Sequence, residues 1–331
     1  MSDHDHDHEH DHEHEHEHDE ACGCGHEHDD DDDGEELTPE ELFDTIEVAA
    51  AEGAFAEAGM MVALAKSAFD SGQLDDAVLR ARFESAQAEL ERCQGNLDVA
   101  ADHASRAVSA LEGLGAAGTR TLAGAIYTSA LIQLDREDVD GAMLALERAA
   151  RMLEAQAPVD VDVLASVLIT MGEVSLEVGE AEGSQRLFGR VLELLRDVEP
   201  TSEGHARGLN ALTGKAFLGL GAGAAQLRKN AEAKDFLERA VEFLDEGLGA
   251  GHPVLIEALE RVVETYRAMG DDAAAELAEE ELEAARQAFD EANDDDEDDL
   301  DDEDDDDEDL DDEDDDEGDA EGDAEGETTK E

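Results

Sequence analysis

From Leu37 to about Asp290, apolar residues recur at spacings of three and four, with Ala and Leu dominant. Short clusters of Gly, Asp and Glu interrupt this pattern roughly every 15 to 20 residues. A period near 3.6 puts successive apolar side chains on one face of a helix, so the segment reads as a string of antiparallel helices. Breaks fall near Gly53, Gly72, Gly95, Gly118, Glu137, Pro158, Gly179, Pro200, Lys229, Gly251 and Gly270. Thr38-Pro39-Glu40-Glu41 opens the first helix. Its hydroxyl residue suits the N-cap, its proline sits where a missing N–H costs nothing, and its acids face the positive end of the helix dipole. Strand-like alternation is absent, and the expected fold class is all-α.

A small residue near the start of every second helix supplies a ruler. Ala100, Ala142, Ser184, Ala233 and Ala275 are 42, 42, 49 and 42 residues apart. Four and seven residues further on come Ala104 and Ala107, Leu146 and Ala149, Phe188 and Val191, and Leu237 and Ala240. Equal steps of one motif imply stacked hairpins rather than a closed bundle. The long step is one period plus seven residues, about two helical turns, and is expected to lengthen the hairpin around Gly219 to Leu227. Gly72 and Ala77 also look like a repeat turn, but Ala77 lies only 23 residues before Ala100. Residues 38 to 72 are therefore expected to form a degenerate or capping unit.

The motif Gly-x4-Ala-x3-apolar-x2-Ala, preceded by a small residue and an aromatic, resembles the tetratricopeptide repeat (TPR). His252-Pro253, Leu259, Val262, Tyr266, Gly270 and Ala275 match in register the 42-residue form found in kinesin light chain-like bacterial repeat proteins. Gly95/Ala100/Ala107, Gly172/Gly179 and Leu220-Gly221/Ala233/Ala240 match it in part, and the resemblance covers about residues 75 to 290. It implies a right-handed solenoid of helical hairpins and a non-enzymatic scaffold whose concave groove, lined by first helices, binds a protein or peptide. The groove positions it implies are Arg82, Ser85, Glu89 and Arg92, then Tyr127, Ile169 and Glu173, then Lys215, and finally Glu257, Glu260, Glu264 and Arg267. The Lys/Asn clamp with which some family members grip a C-terminal carboxylate is missing from these positions, which speaks against a chaperone-tail adaptor.

Charge divides the 331 residues into three. Residues 1–36 hold 18 acids and no Lys or Arg, residues 37–290 hold 48 against 21, and residues 291–331 hold 29 against one. Both ends are poor in apolar residues that could offset the entropy of ordering, so they are expected to be disordered flanks of one folded repeat domain. A net charge of -73 would repel a nucleic-acid backbone or an anionic membrane. Basic proteins or peptides and cations remain as partners; a lesser reading is that the acidity supports solubility in a salty cytoplasm. The chain has no apolar signal segment behind a basic start and no apolar run of about 18 residues. It also has only three cysteines, Cys22, Cys24 and Cys93. A cytoplasmic location is the expectation.

The first segment carries its own chemistry. His4, His6, His8, His10, His12, His14, His16 and His18 alternate with acids, and Cys22, Cys24, His26 and His28 follow. Imidazole and thiolate are preferred ligands of Zn, Ni and Cu, and a flexible chain can gather four around one ion. The spacing is not that of a zinc finger, so no cofactor is required for folding. Physiological metal binding and an incidental polyelectrolyte both remain open. Protonation of the eight alternating imidazoles would also remove most of the arm's negative charge. The acidic tail lacks the ordered ligand positions of an EF-hand loop. Outside the arm, His103, His205 and His252 stand apart from any Ser or Cys nucleophile at motif spacing. Gly219-Leu220-Gly221-Ala222-Gly223 has no strand leading into it, so close helix packing explains its glycines better than a dinucleotide loop does. Cys93 reads as a packing residue. No enzymatic role is expected. The leading expectation is a protein-interaction scaffold bearing a metal-chelating arm, and the alternative is metal-ion buffering or metallochaperone activity.

Overall fold

A computed structural model describes residues 38–52 and 54–298. Within them the chain forms twelve α-helices, one short 3-10 turn and no strand. The helices are α1 (Pro39–Glu52), α2 (Phe55–Asp70), α3 (Ala77–Cys93), α4 (Leu97–Leu114), α5 (Thr119–Asp135) and α6 (Val139–Glu154). They continue as α7 (Val161–Glu177), α8 (Ala181–Leu195), α9 (Glu203–Gln226), α10 (Asn230–Leu248), α11 (Pro253–Met269) and α12 (Asp272–Asp298). The last helix runs past the boundary expected at residue 290. Each odd-numbered helix packs against the even-numbered one that follows, and successive hairpins stack, giving a TPR-like solenoid.

Inner turns of the hairpins show why the period is so regular. Gly95, Glu137, Gly179, Arg228 and Gly270 all take left-handed backbone conformations, with φ of 79°, 64°, 83°, 59° and 76°. They are spaced 42, 42, 49 and 42 residues apart. One residue later, the N–H of Asn96, Asp138, Glu180, Lys229 and Asp271 donates to the carbonyl five residues back, at 2.7–3.1 Å. This arrangement satisfies carbonyls left over at the helix end and reverses the chain within three residues. The second helix then brings its small residue against the first: Ala100, Ala142, Ser184 and Ala233 are wholly buried, and Ala275 nearly so. Their companions at plus four and plus seven are equally buried.

Two expectations about length need correction. Ala77 does not open a second helix. It is the first residue of α3, capped by Asp76, whose carboxylate accepts from the N–H groups of Val78 and Leu79 at 2.8 and 2.9 Å. Buried Ala58 and Ala65 lie 42 residues before Ala100 and Ala107, so α2 is in frame and the first hairpin is a full member of the stack. The surplus of seven falls wholly in α9, which has 24 residues where α3, α5, α7 and α11 have 17. The turn after it, 227–229, is as short as its counterpart 178–180, so the extra turns precede the packed stretch at the start of α9 rather than falling around Gly219 to Leu227.

Close packing accounts for the α9 glycines. A Cβ on Gly219 would lie 2.2 Å from the ring of Phe188, and one on Gly172 of α7 would lie 2.6 Å from the same ring. Phe188 is thus wedged between two glycine floors with no exposed surface. Gly214 and Gly221 admit Leu244 and Leu237 of α10 in the same way, and Gly247 of α10 meets the backbone of Ala211. At the other end, Phe43, Phe69 and Phe83 form an aromatic cluster with centroids 5.4–6.4 Å apart, joining α1, α2 and α3.

Candidate functional groove

The first helices of four consecutive hairpins, α1, α3, α5 and α7, line an open cavity of about 700 Å³. Arg82, Ser85 and Glu89 of α3 and Tyr127 of α5 meet there, as the repeat register implies. Arg82 pairs with Asp44 of α1. Arg92, at the end of α3, donates twice to Glu89 (3.0 and 2.7 Å) and once to Asp135 of α5 (2.9 Å). These carboxylates, Glu89 first, hold its guanidinium even more firmly protonated than usual. The Tyr127 hydroxyl lies 3.2 Å from that of Thr170 on α7, and burial raises its phenol above the ordinary value.

A second polar group lies further along. Glu173 of α7 keeps an exposed surface yet is crowded by protein, and the resulting desolvation raises its carboxyl. Lys215 of α9 opposes that rise, while Glu257 of α11 and Glu177 add to it. Glu257 also accepts from Arg261 at 2.8 Å. Glu264 is exposed on α11. Other expected groove residues turn elsewhere. Arg267 pairs with Glu279, and Glu260 accepts from Arg286 at 2.7 Å, so both are engaged by their hairpin partner α12. Ile169 is only 3% exposed and belongs to the core.

Sequence reasoning missed Asp44 and Glu47, which complete the cavity from α1. Glu47 lies 42 residues before Glu89, which in turn is two periods before Glu173. Carrying the frame into the first hairpin would have found it. Burial pushes the Glu47 carboxyl up to about 7; Arg82 opposes the rise, and Asp44 and Glu89 reinforce it.

The remaining candidates are structurally occupied. Cys93 is half-buried, its thiol lies 3.9 Å from Glu89, and burial raises its pKa, the reverse of what a nucleophile needs. His103 contacts Glu84 at 2.9 Å, and His252 caps α11 by accepting from the N–H of Val254. His205 Nδ1 accepts from the backbone N–H of Thr201 at 3.1 Å, and its Nε2 lies 3.3 Å from Asp162. The backbone contact makes this a helix-start fixture. No cluster of His, Cys, Asp and Glu among the described residues could hold a metal ion. The predicted ligands of the arm, His4 to His18, Cys22, Cys24, His26 and His28, lie outside those residues, as does the acidic tail beyond residue 298. No described helix is long and apolar enough to cross a membrane.

Stacked two-helix units with a left-handed inner turn and a lined first-helix face define a TPR-like helical-repeat protein. Solved structures share this architecture. Over 77% of this chain and 93% of its own, BtubC (BKLC) from P. vanneervenii is similar, with a TM-score of 0.56 and 15% identity. A putative kinesin light chain of Podospora anserina with nearly identical TPR-like repeats aligns over 66% of this chain and 99% of its own, with a TM-score of 0.51 and 13% identity. The quorum sensor NprR from B. thuringiensis, in its apo form, aligns over 76% and 67%, with a TM-score of 0.54 and 12% identity. No family model and no curated protein matches the sequence.

Proposed function

We propose that this chain is a non-enzymatic scaffold that holds a protein or peptide partner along the face of its first helices. One observation carries the reading: the 700 Å³ cavity shared by α1, α3, α5 and α7, where charged and hydroxyl groups alternate with apolar wall. NprR has also been solved in complex with its cognate peptide NprX, and that structure resembles this chain over 75% of its length, with a TM-score of 0.51 and 11% identity. A TPR-like solenoid of this kind can therefore carry a peptide. The partner we envisage is a polypeptide rather than nucleic acid or an anionic membrane, because the chain's net charge of -73 repels both.

A photo-crosslinking residue at Thr128, which lines the cavity, compared with one at exposed Asp102 on α4, tests this in cells. Adducts at Thr128 and none at Asp102 are expected; equal labelling at both, or none at Thr128, rejects the groove. To the His/Cys arm we assign a chelating role for Zn, Ni or Cu, carried by residue chemistry alone. Calorimetric titration of the full chain beside a Cys22→Ser/Cys24→Ser variant checks it. Saturable binding that depends on the two thiols would make metal buffering the primary role.

A further inference from the structure

The lining of the groove narrows the chemistry of its occupant. Both arginines that line it already have a carboxylate of their own: Arg82 has Asp44, and Arg120 has Asp160 at 2.6 Å. Glu47 is different. It faces the cavity and is largely withdrawn from solvent, and among the described residues no cation comes within ion-pair distance of it. The charged groups around it are Asp44 on its own helix and Arg82 and Glu89 on α3. Arg82 is paired with Asp44, so Glu47 has no cation of its own. A half-buried carboxylate with no ion-pair partner of its own is unfavourable in the empty groove and attractive to a cation that arrives with its own desolvated contacts.

The kind of cation follows from the surroundings. A metal ion does not suit the site, since the described carboxylates nowhere gather closely enough to ligate one. Val78, Leu79, Ala125, Leu131 and Val163 give the same cavity an apolar wall. An aliphatic stem ending in a charged group satisfies wall and carboxylate together. We propose that the cavity receives a Lys or Arg side chain projecting from an extended segment of the partner, with the Glu47 carboxylate as its counter-charge. This rests on the groove reading given above and adds the occupant's chemistry to it. Binding favours the ionised carboxylate, so a proton leaves Glu47 as the cation enters, and affinity rises with pH through the range near 7 where that carboxyl titrates.

The test uses two pools of capped, fluorescein-labelled nonapeptides with Ala, Leu, Val or Ser at the outer positions. One pool carries Lys or Arg at the centre and the other norleucine. Anisotropy titrations into the full chain should show the cationic pool binding at least about tenfold more tightly. That advantage should vanish in Glu47→Gln and shrink between about pH 8 and about pH 6. Leu131→Lys, which places a resident ammonium in the cavity, should abolish it as well. Equal binding of the two pools, or undiminished preference in Glu47→Gln, overturns the proposal. Spermidine competing as well as the cationic pool overturns the peptide assignment. If a Thr128 crosslinker captures both pools equally, the occupant's chemistry fails while the groove stands; capture of neither pool removes both.

Discussion

Residues in the inner turns differ in how well they suit their backbone. Glu137 and Arg228 hold the left-handed position that Gly95, Gly179 and Gly270 fill elsewhere. A side chain there costs about 1–2 kcal/mol, part of which glycine would return as extra freedom of the unfolded chain. Glu137→Gly and Arg228→Gly should each stabilise by about 0.5–1 kcal/mol in urea denaturation, whereas Gly179→Ala should destabilise by a similar amount. Glu47 makes a prediction of opposite character. Its folded pKa, about 7, lies above the ordinary 4.5, so the folded state binds the proton more tightly than the unfolded chain. The stabilising contribution is complete below about pH 4.5 and is lost as pH rises through 7. Glu47→Gln should therefore flatten the stability–pH curve across that window and be more stable than the parent at pH 8, by on the order of 2 kcal/mol. Equal pH profiles in urea melts would show that Glu47 is better solvated than its position implies.

At the scale of the element, the sequence disclosed phase more readily than direction. The small residues at Ala100, Ala142, Ser184, Ala233 and Ala275 located every second helix from α4 onward, because each is squeezed against its neighbour in the same register. The glycines of α9 were rightly read as a packing surface. What they pack against, Phe188 from α8 and two leucines from α10, depends on tertiary placement that no local spacing encodes. Arg267 and Ile169 misled for a related reason. They occupy groove register, but the first turns toward a carboxylate on α12 and the second turns into the core. Phe188 offers a sharp test of this level. Gly219→Ala puts a methyl group into its ring, so thermal and urea unfolding should report a loss of about 1–3 kcal/mol. Pairing Gly219→Ala with Phe188→Leu should cost less than the sum of the two single changes, because the smaller side chain vacates the space the methyl needs.

For the whole molecule, the all-α repeat architecture was legible and the identity of its occupant was not. A period is a property of one chain and is written many times over, whereas a groove's selectivity rests on a few side chains such as Glu47, each written once. Charge also acts at this scale. Residues 37–290 carry 48 acids against 21 Lys and Arg, and the ion pairs that join hairpins, such as Arg148–Glu112 and Arg190–Glu154, are exposed. Pairs of that kind contribute little, so screening of the acid excess should dominate. The melting temperature is expected to rise as NaCl increases from about 0.05 to about 1 M. A fall would mean that the exposed pairs outweigh the repulsion.

The length of α9 also limits how such a chain can change. Each added residue turns a helix by about 100°, so seven residues bring the packing face back to within about 20° of its starting direction. Five placed within its packed stretch would swing the face by about 140°, carrying Gly219 away from the ring it accommodates. Insertions inside these helices are therefore admissible only in discrete sizes, and the solenoid can grow sideways by pairs of turns while every hairpin keeps its grip on the next.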